Sequence, residues 1–510
     1  MKIFLMKRIL LLVLFTQLIT VQSVIAIPST KEKKNVQIFI SHFENVLGTS
    51  MEIKIKTFTE NQQAIVEKAV IKEINRLSKI LSAYDTNSEF SQWMKTLHLA
   101  VPISKELFEV FNLYDQWRLR SKGSLDASAQ VISKLWQNAA SLQQIPSVDE
   151  MSKAVSEVQK IDWHLDVLHQ TATHLSNSPL VLNSFTKSYI IQHAAKVAMQ
   201  IEKVQAIVVN IGGDIVVAGN LNETIQISNP KADAENDLPI DIIRLQNKSI
   251  ATSGNYRRGE LINGQWYSHI IDPRTGLTAG NIISATVVAN KATDAGALAT
   301  AFNILTPIES ANLASTIPGV EYLIVTKEGE RIKSKGWDLL TIAAPVKLIS
   351  EIAKPDQWNP DFELAVNFEL AQLPGFARRP FMAIWVEDAD KKSVRTISIW
   401  FNKDRWLHEL RAWYATNYAQ LIGEQGKLNS ITSATRSAGK YSVKWDGKDD
   451  RGNYVKPGKY TLNIEAVREH GTYQLITQEI NCKGTPQLIN LTGNVEVAAA
   501  SLYYKKKADN

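Results

Sequence analysis

A hydroxyl, an imidazole, a carboxylate and a guanidinium fall close together in Tyr267–Ser268–His269–Ile270–Ile271–Asp272–Pro273–Arg274–Thr275–Gly276. Histidine titrates near neutrality and can take a proton from a hydroxyl in reach. Asp272 can orient that imidazole or help hold a nucleotide. Arg274 can neutralise a phosphate, or pin the turn through a salt bridge to Asp272. Tyr267, His269 and Ile271 alternate with Ser268, Ile270 and Asp272, which predicts a short strand. Asp-Pro and Thr-Gly then close it in a turn. The plain alternative is a hairpin with a capped turn.

Two further stretches carry polar groups on turns. Asn210–Ile211–Gly212–Gly213–Asp214 lies between the apolar runs Ala206–Val209 and Ile215–Ala218. A Gly-Gly turn there exposes backbone N–H groups that can cradle a phosphate. Ser253–Gly254–Asn255–Tyr256–Arg257 precedes a hairpin signal at Asn263–Gly264. That signal predicts neighbouring strands, one ending near Ser253 and one carrying His269, with Ser253, Arg257 and His269 in one site.

The elements that must position these groups are legible by period. Val66, Val70, Ile74, Leu77 and Leu81 recur at helical spacing across Glu60 to Leu81. A second helix runs from Ser104, an N-cap, to Arg120, and Gly123 suits its C-terminal end. Residues 137–170 are polar and poorly periodic, and read as connecting helices. A helix follows Lys187–Ser188–Tyr189, and another of small residues covers Ala292 to Leu305.

The chain has 510 residues, 45% hydrophobic and 21% charged, which is ordinary for a globular protein of about three domains. The net charge of +6 is small for this length, and the one dense basic tract is Lys505–Lys507, so no nucleic-acid partner is expected. Lys2, Lys7 and Arg8, the apolar run Ile9 to Phe15 and the small-residue site Val24–Ile25–Ala26 read as a secretory signal over residues 1–26. Cys482 is the sole cysteine, so no intrachain disulfide forms. The expectation is a soluble exported protein, most simply periplasmic, with no stable membrane insertion once the signal is cleaved.

The string Ser-His-Ile-Ile-Asp-Pro-Arg-Thr-Gly resembles the signature of the FAD:protein FMN transferases, the ApbE-type flavin transferases. The resemblance extends over residues 40–345 and takes in the Asn-x-Gly-Gly-Asp string. It implies an α+β fold and a reaction that splits FAD with Mg²⁺, moves FMN to a Thr or Ser of an exported redox protein, and releases AMP. His269 is the implied base, with Asp272 beside it. Implied FAD contacts are Leu47, where the family has a Met against the flavin, Tyr84, the turn Ser124–Leu125–Asp126, Lys187, Gly212, Gly213, Ser253, Arg257 and Arg274. The implied metal site draws on Thr186, through its backbone, and on Thr300.

Several positions depart from that pattern. Gly296 stands where the family has a metal-binding Asp. Asp294 is the nearest carboxylate, but it lies about 200° around the helix unless the helix starts later. Val181, Asn183 and Ser184 replace an acidic residue and Gly-Gly, Ser188 replaces a Gly, and Asn255 an Asp. A flavin-binding pseudoenzyme with a degenerate metal site is therefore the alternative to a transferase.

Beyond Pro355 the texture changes to aromatic and β-branched runs separated by turns such as Asp446–Gly447 and Lys456–Pro457–Gly458. This predicts an all-β, immunoglobulin-like sandwich over residues 358–510, after a transferase-like domain over 37–350. It resembles a periplasmic family of unknown function found fused to flavin transferases. A protein-binding role for this half is a third reading.

Overall fold

The computed structural model describes residues 35–256, 258–342, 356–372, 379–401, 404–422, 432–433, 436, 438–468 and 471–507. The expected signal and Arg257 lie outside the described residues. Residues Gln37–Asn510 form one compact unit.

Eight strands build one antiparallel sheet. They are β1 (Gln37–Val46), β2 (Thr49–Thr57), β3 (Ala206–Ile211), β4 (Asp214–Gly219), β5 (Lys248–Gly254), β6 (Ile282–Ala289), β7 (Glu321–Thr326) and β8 (Arg331–Lys333), and they lie in the sheet in chain order. Strand residues alternate between faces. Ile207, Val209 and Ile211 of β3 therefore enter a core with the helices, whereas Val208 enters a second core with Ile215, Val217, Ile243 and Trp337. Both faces are covered, which is why β3 reads as an unbroken apolar run.

The helical face holds α1 (Glu60–Leu81), α2 (Lys105–Arg120), α5 (Thr186–Met199), α6 (Ala292–Phe302) and α7 (Pro307–Ser315), while α3 (Gln130–Leu142) and α4 (Val148–Val158) belong to a smaller core. The five apolar residues expected along α1 are all buried, and Thr59 caps it by accepting from the Gln62 N–H. Ser104 caps α2 in the same way. The small residues of α6 let it settle on β5 and β6 while α5 packs beside it.

Two two-residue turns sit next to each other at one end of the sheet. Leu47–Gly48 joins β1 to β2 with φ of 51° and 76°, and Gly212–Gly213 joins β3 to β4 with φ of 57° and 93°. Paired positive φ is the hairpin geometry that matches strand twist. Met51 pairs with Ile211 across β2 and β3, and the Gly212 N–H donates to Ser50 O at 3.2 Å. A Cβ at Gly212 would lie 2.8 Å from Thr49 Cγ2, so glycine is required there.

Past residue 356 two more sheets share a core. Phe362–Leu370, Gly439–Trp445, Gln487–Leu491 and Val497–Lys506 form one of them. Phe381–Glu387, Ser393–Trp400, Thr432–Ser433, Gly458–Val467 and Tyr473–Cys482 form the other. Val366 and Leu502 meet Ile384 and Leu462 between them. The expectation of an all-β region is corrected by a helix, Arg411–Ile422, lying against Phe381, Trp385 and Ile399 on the second sheet. The buried Glu465 carboxylate accepts from the Ala412 and Trp413 N–H groups at 2.9 and 2.8 Å, satisfying donors that a helix start leaves open. One strand pair, Ile399–Trp400 with Thr432–Ser433, is parallel.

The segment before Asp241 covers the outer edge of Gly439–Trp445. Asn236 donates to Lys444 O at 2.7 Å and accepts from Lys444 N at 2.8 Å, and Glu235 N reaches Ser442 O at 2.8 Å. This occupies backbone groups that an edge strand would otherwise expose. Asn236→Ala removes two of these bonds and is expected to cost about 1–3 kcal/mol by urea denaturation. An unchanged midpoint would mean that the contact does not hold in solution.

Candidate active site

His269 follows a separate two-stranded hairpin, Gly259–Ile262 with Gln265–Ser268. The expected pairing of its strand with the one ending at Ser253 does not form. β5 is flanked by β4 and β6 instead, because the main sheet is already continuous there. The His269 ring is exposed, and its Nδ1 lies 2.9 Å from Arg258 O, which the His269 N–H also approaches at 3.2 Å. A carbonyl only accepts, so Nδ1 carries the hydrogen and Nε2 keeps its lone pair. Removal from bulk water holds the imidazole below its ordinary 6.5; the bond to Arg258 O opposes this and the Arg258 charge adds to it. With Nδ1 as the donor, Nε2 can accept a proton.

Asp272 does not reach this imidazole. Its carboxylate accepts from Arg274 Nε at 2.9 Å, Arg274 NH2 at 2.8 Å and Arg274 N at 2.9 Å. Its own carbonyl accepts from Gly276 N at 2.9 Å. Asp272 and Arg274 are therefore mutual partners that set the turn, and Arg274 also faces Glu309 at 3.6 Å. The expected roles at imidazole and phosphate give way to this bidentate pair, since two residues' separation suits the planar fork.

What holds the turn comes from two helices, one beginning just before and one lying within residues 137–170, which the sequence left as connectors. Trp136 of α3 donates from Nε1 to Gly276 O at 2.8 Å, and its ring lies 4.9 Å from that of Tyr267. Trp136, Ile132, Ala154 and Val158 form a small core with Ile262 and Ile271. At Gly276, φ is 77° and Val155 Cγ2 would sit 3.3 Å from an added Cβ. The pair α3 and α4 is thus the platform of the His269 segment. A strong amphipathic signal in Ile132, Trp136 and Ala139 was the available cue.

Asn255 explains its own departure from the family's Asp. It is buried, and its Nδ2 donates to Ile282 O at 2.7 Å and Ala279 O at 3.2 Å. A carboxylate has no hydrogens to give and would face two carbonyls. Asn255→Asp is expected to cost about 1–3 kcal/mol or more in thermal or urea unfolding, with the loss easing at acidic pH as the carboxyl protonates.

The Gly-Gly turn does not offer free donors. Gly212 N is taken by Ser50 O, and Gly213 N donates to Asn210 Oδ1 at 3.1 Å. The expected phosphate cradle is corrected accordingly: the side chain of Asn210 closes the turn on itself. Asp214, which follows, is buried. Its Oδ2 accepts from Ser188 Oγ at 2.9 Å and its Oδ1 lies 3.4 Å from Lys187 Nζ. Burial pushes its carboxyl upward, and the Lys187 charge and the Ser188 hydroxyl pull it back.

The positions implied for a metal converge only in part. Thr300 Oγ1 donates to Ser184 O at 3.3 Å and Gly296 O at 3.1 Å. Thr186 lies two residues from Ser184, and its buried hydroxyl has no hydrogen-bond partner. Asp294 is not with them. The helix already runs from Ala292, so Asp294 sits on another face from Gly296; its carboxyl is pushed up by burial, with Lys291 and Arg120 as the opposing charges. A Cβ at Gly296 would overlap Ser188 Oγ and lie 3.0 Å from Ser188 Cβ. Among the described residues no group of three His, Cys, Asp or Glu is disposed to hold a metal ion. Magnesium is held through one or two carboxylates together with phosphate and water oxygens, and the carboxylate here, Asp214, is already engaged by Ser188 and Lys187, so this donor set does not fit it.

The remaining expected contacts ring the same region. Tyr84 is exposed and accepts from Asn183 Nδ2 at 2.7 Å, which sets an aromatic face beside the Lys187 loop. Ser124 and Leu125 are buried, and the Asp126 carboxylate is taken by Arg118 at 2.8 Å and Ser128 N at 2.8 Å. The Ser124 and Leu125 N–H groups are also taken, by Ser121 O at 3.2 Å and Ser121 Oγ at 3.0 Å, whereas the buried Ser124 hydroxyl has no hydrogen-bond partner. Val181 N donates to Ala127 O at 3.0 Å, joining that turn to the Lys187 loop. Ser253 O accepts from Asn303 Nδ2 at 3.0 Å.

Register brings these pieces to one end of the sheet. Ile211 pairs with Asp214, Ile250 with Ile215, and Gly254 with Ser284. The Leu47 turn, Asp214, Ser253 and the root of the His269 excursion therefore share that end.

A model of the ApbE family matches residues 47–324. Another, described as a predicted periplasmic protein (DUF2271), matches residues 363–499. The FAD:protein FMN transferase of Escherichia coli is 25% identical over 303 residues, covering 56% of this chain and 84% of that protein. The FAD:protein FMN transferase of Haemophilus influenzae is 27% identical over 306 residues, covering 56% and 86%. The solved apbe protein of Thermotoga maritima superposes with a TM-score of 0.54 at 23% identity, over 60% of this chain and 100% of its own, which shows a shared fold.

Proposed function

The chain belongs to the ApbE family, and on that premise we propose that it is an FAD:protein FMN transferase acting on an exported redox protein. The observation that carries the reading is the exposed His269, whose Nδ1 is held by Arg258 O so that Nε2 keeps its lone pair. In the reaction, the hydroxyl oxygen of a Thr or Ser bonds to the FMN-side phosphorus of FAD. The bond from that phosphorus to the bridging oxygen breaks, and AMP leaves with the electron pair. His269 Nε2 takes the hydroxyl proton. Lys187 is the candidate cation for the pyrophosphate, and Leu47 and Tyr84 the apolar and aromatic faces for the rings. The Mg²⁺ expected from the resemblance enters no step here, because the donor set does not fit it.

A periplasmic location agrees with the description of the second matched family, and no helix among the described residues is long and apolar enough to cross a membrane. The second reading, a flavin-binding pseudoenzyme, is favoured by the departures at Val181, Ser188 and Gly296. The two separate when the full chain is given FAD and a small acceptor domain bearing a reactive Thr. AMP release with covalent flavin fluorescence on a gel supports the transferase. Saturable FAD binding with neither product supports the pseudoenzyme.

A further inference from the structure

We infer that Ser188 and Gly296 are a reciprocal exchange which has closed the divalent-metal site, leaving the Lys187 ammonium as the cation that meets the FAD pyrophosphate. This rests on the proposed FAD-dependent reading, and three independent observations carry it.

The first is steric. α5 and α6 approach so closely at Ser188 and Gly296 that a side chain at 296 would occupy the Ser188 hydroxyl's own volume. Phe185 Cβ, at 3.4 Å from the same point, closes the other side. The residue pair is a single packing unit. A side chain at position 296 needs the space that the Ser188 side chain fills.

The second is electrostatic. The carboxylate nearest this exchange is Asp214, and its two oxygens are already engaged by Ser188 Oγ at 2.9 Å and by Lys187 Nζ at 3.4 Å. An ammonium at that distance cancels the charge that would attract a divalent ion, and would repel the ion itself. In effect the pocket carries an internal cation. The Lys187 side chain is only partly covered, at 32% exposure, so its head can turn from Asp214 to an incoming anion.

The third is the donor inventory. Among the described residues Asp294 is the remaining acid on α6, and it sits on a different face from Gly296 and Thr300. Thr300 donates its proton to backbone carbonyls of this same neighbourhood. Neutral hydroxyls alone are poor magnesium ligands.

The test uses the full chain and Mn²⁺ as a spectroscopic probe, first without FAD. Electron paramagnetic resonance titration is expected to show no saturable Mn²⁺ site in the wild-type chain. The double variant Ser188→Gly with Gly296→Asp is expected to gain one site, while Gly296→Asp alone gains none and melts at a lower temperature. FAD affinity, read by flavin fluorescence, is expected to be the same in EDTA and in millimolar Mg²⁺, and to fall roughly tenfold or more in Lys187→Ala. A saturable wild-type Mn²⁺ site, or FAD affinity that collapses in EDTA, overturns the inference. Should the double variant fail to fold by circular dichroism, the wild-type Mn²⁺ and EDTA titrations still decide. Absence of FAD binding under both conditions would instead sink the transferase reading, while the Mn²⁺ result without FAD continues to report on the metal site.

Discussion

His269→Ala is expected to lower covalent flavin transfer by about 10²–10⁴-fold, the usual contribution of a positioned general base, with FAD affinity nearly unchanged. Among the described residues the ring's hydrogen bond is to Arg258 O, and the residue is exposed, so its removal breaks few contacts. The pH profile supplies the sharper check. The imidazole is held below 6.5, so its basic form predominates at pH 7. The transfer rate should rise with pH on the acidic side, reach half its plateau below pH 6.5, and stay flat through neutrality. A rate that climbs through pH 7 to 8 would point to another base, and full activity in His269→Ala would remove histidine from the mechanism.

Trp136→Ala is expected to have the largest structural consequence for the site. Truncating a buried tryptophan costs about 3–5 kcal/mol. Here it also releases Gly276 O and takes away the partner of the Tyr267 ring. Since Trp136 touches neither His269 nor any expected FAD contact, its effect must pass through the hairpin and turn that carry the imidazole. The expected result is a fall in transfer rate larger than any fall in FAD affinity. The His269 pKa, followed by proton NMR, should also move back toward 6.5 as the ring leaves Arg258. Trp136→Phe keeps a ring against Tyr267 and loses one hydrogen bond, so it should cost only about 1–2 kcal/mol. Unchanged transfer in Trp136→Ala would show that α3 and α4 are not the platform of the site.

Within the site, legibility tracked how local the determining interaction is. The Leu47–Gly48 and Gly212–Gly213 turns were readable because positive φ is a property of a few adjacent residues. The α1 stripe was readable because one face of a helix repeats along the chain. The fate of the donors on those turns was not readable. Gly212 N meets Ser50 O from a strand far away in sequence, and the Asp272 carboxylate chose Arg274 over the imidazole only once the turn had closed.

The sequence by itself pointed to the family and to the candidate histidine, since each is carried by a contiguous motif. It also showed that Gly296 lacks a carboxylate. Only the tertiary structure decided what that loss means. Ser188 and Gly296 are far apart in the chain but share one volume between α5 and α6, and close packing allows a single side chain there. The same physics made α3 and α4 the support for the His269 segment. Their few apolar residues meet Ile262 and Ile271 only after the hairpin has folded back over them.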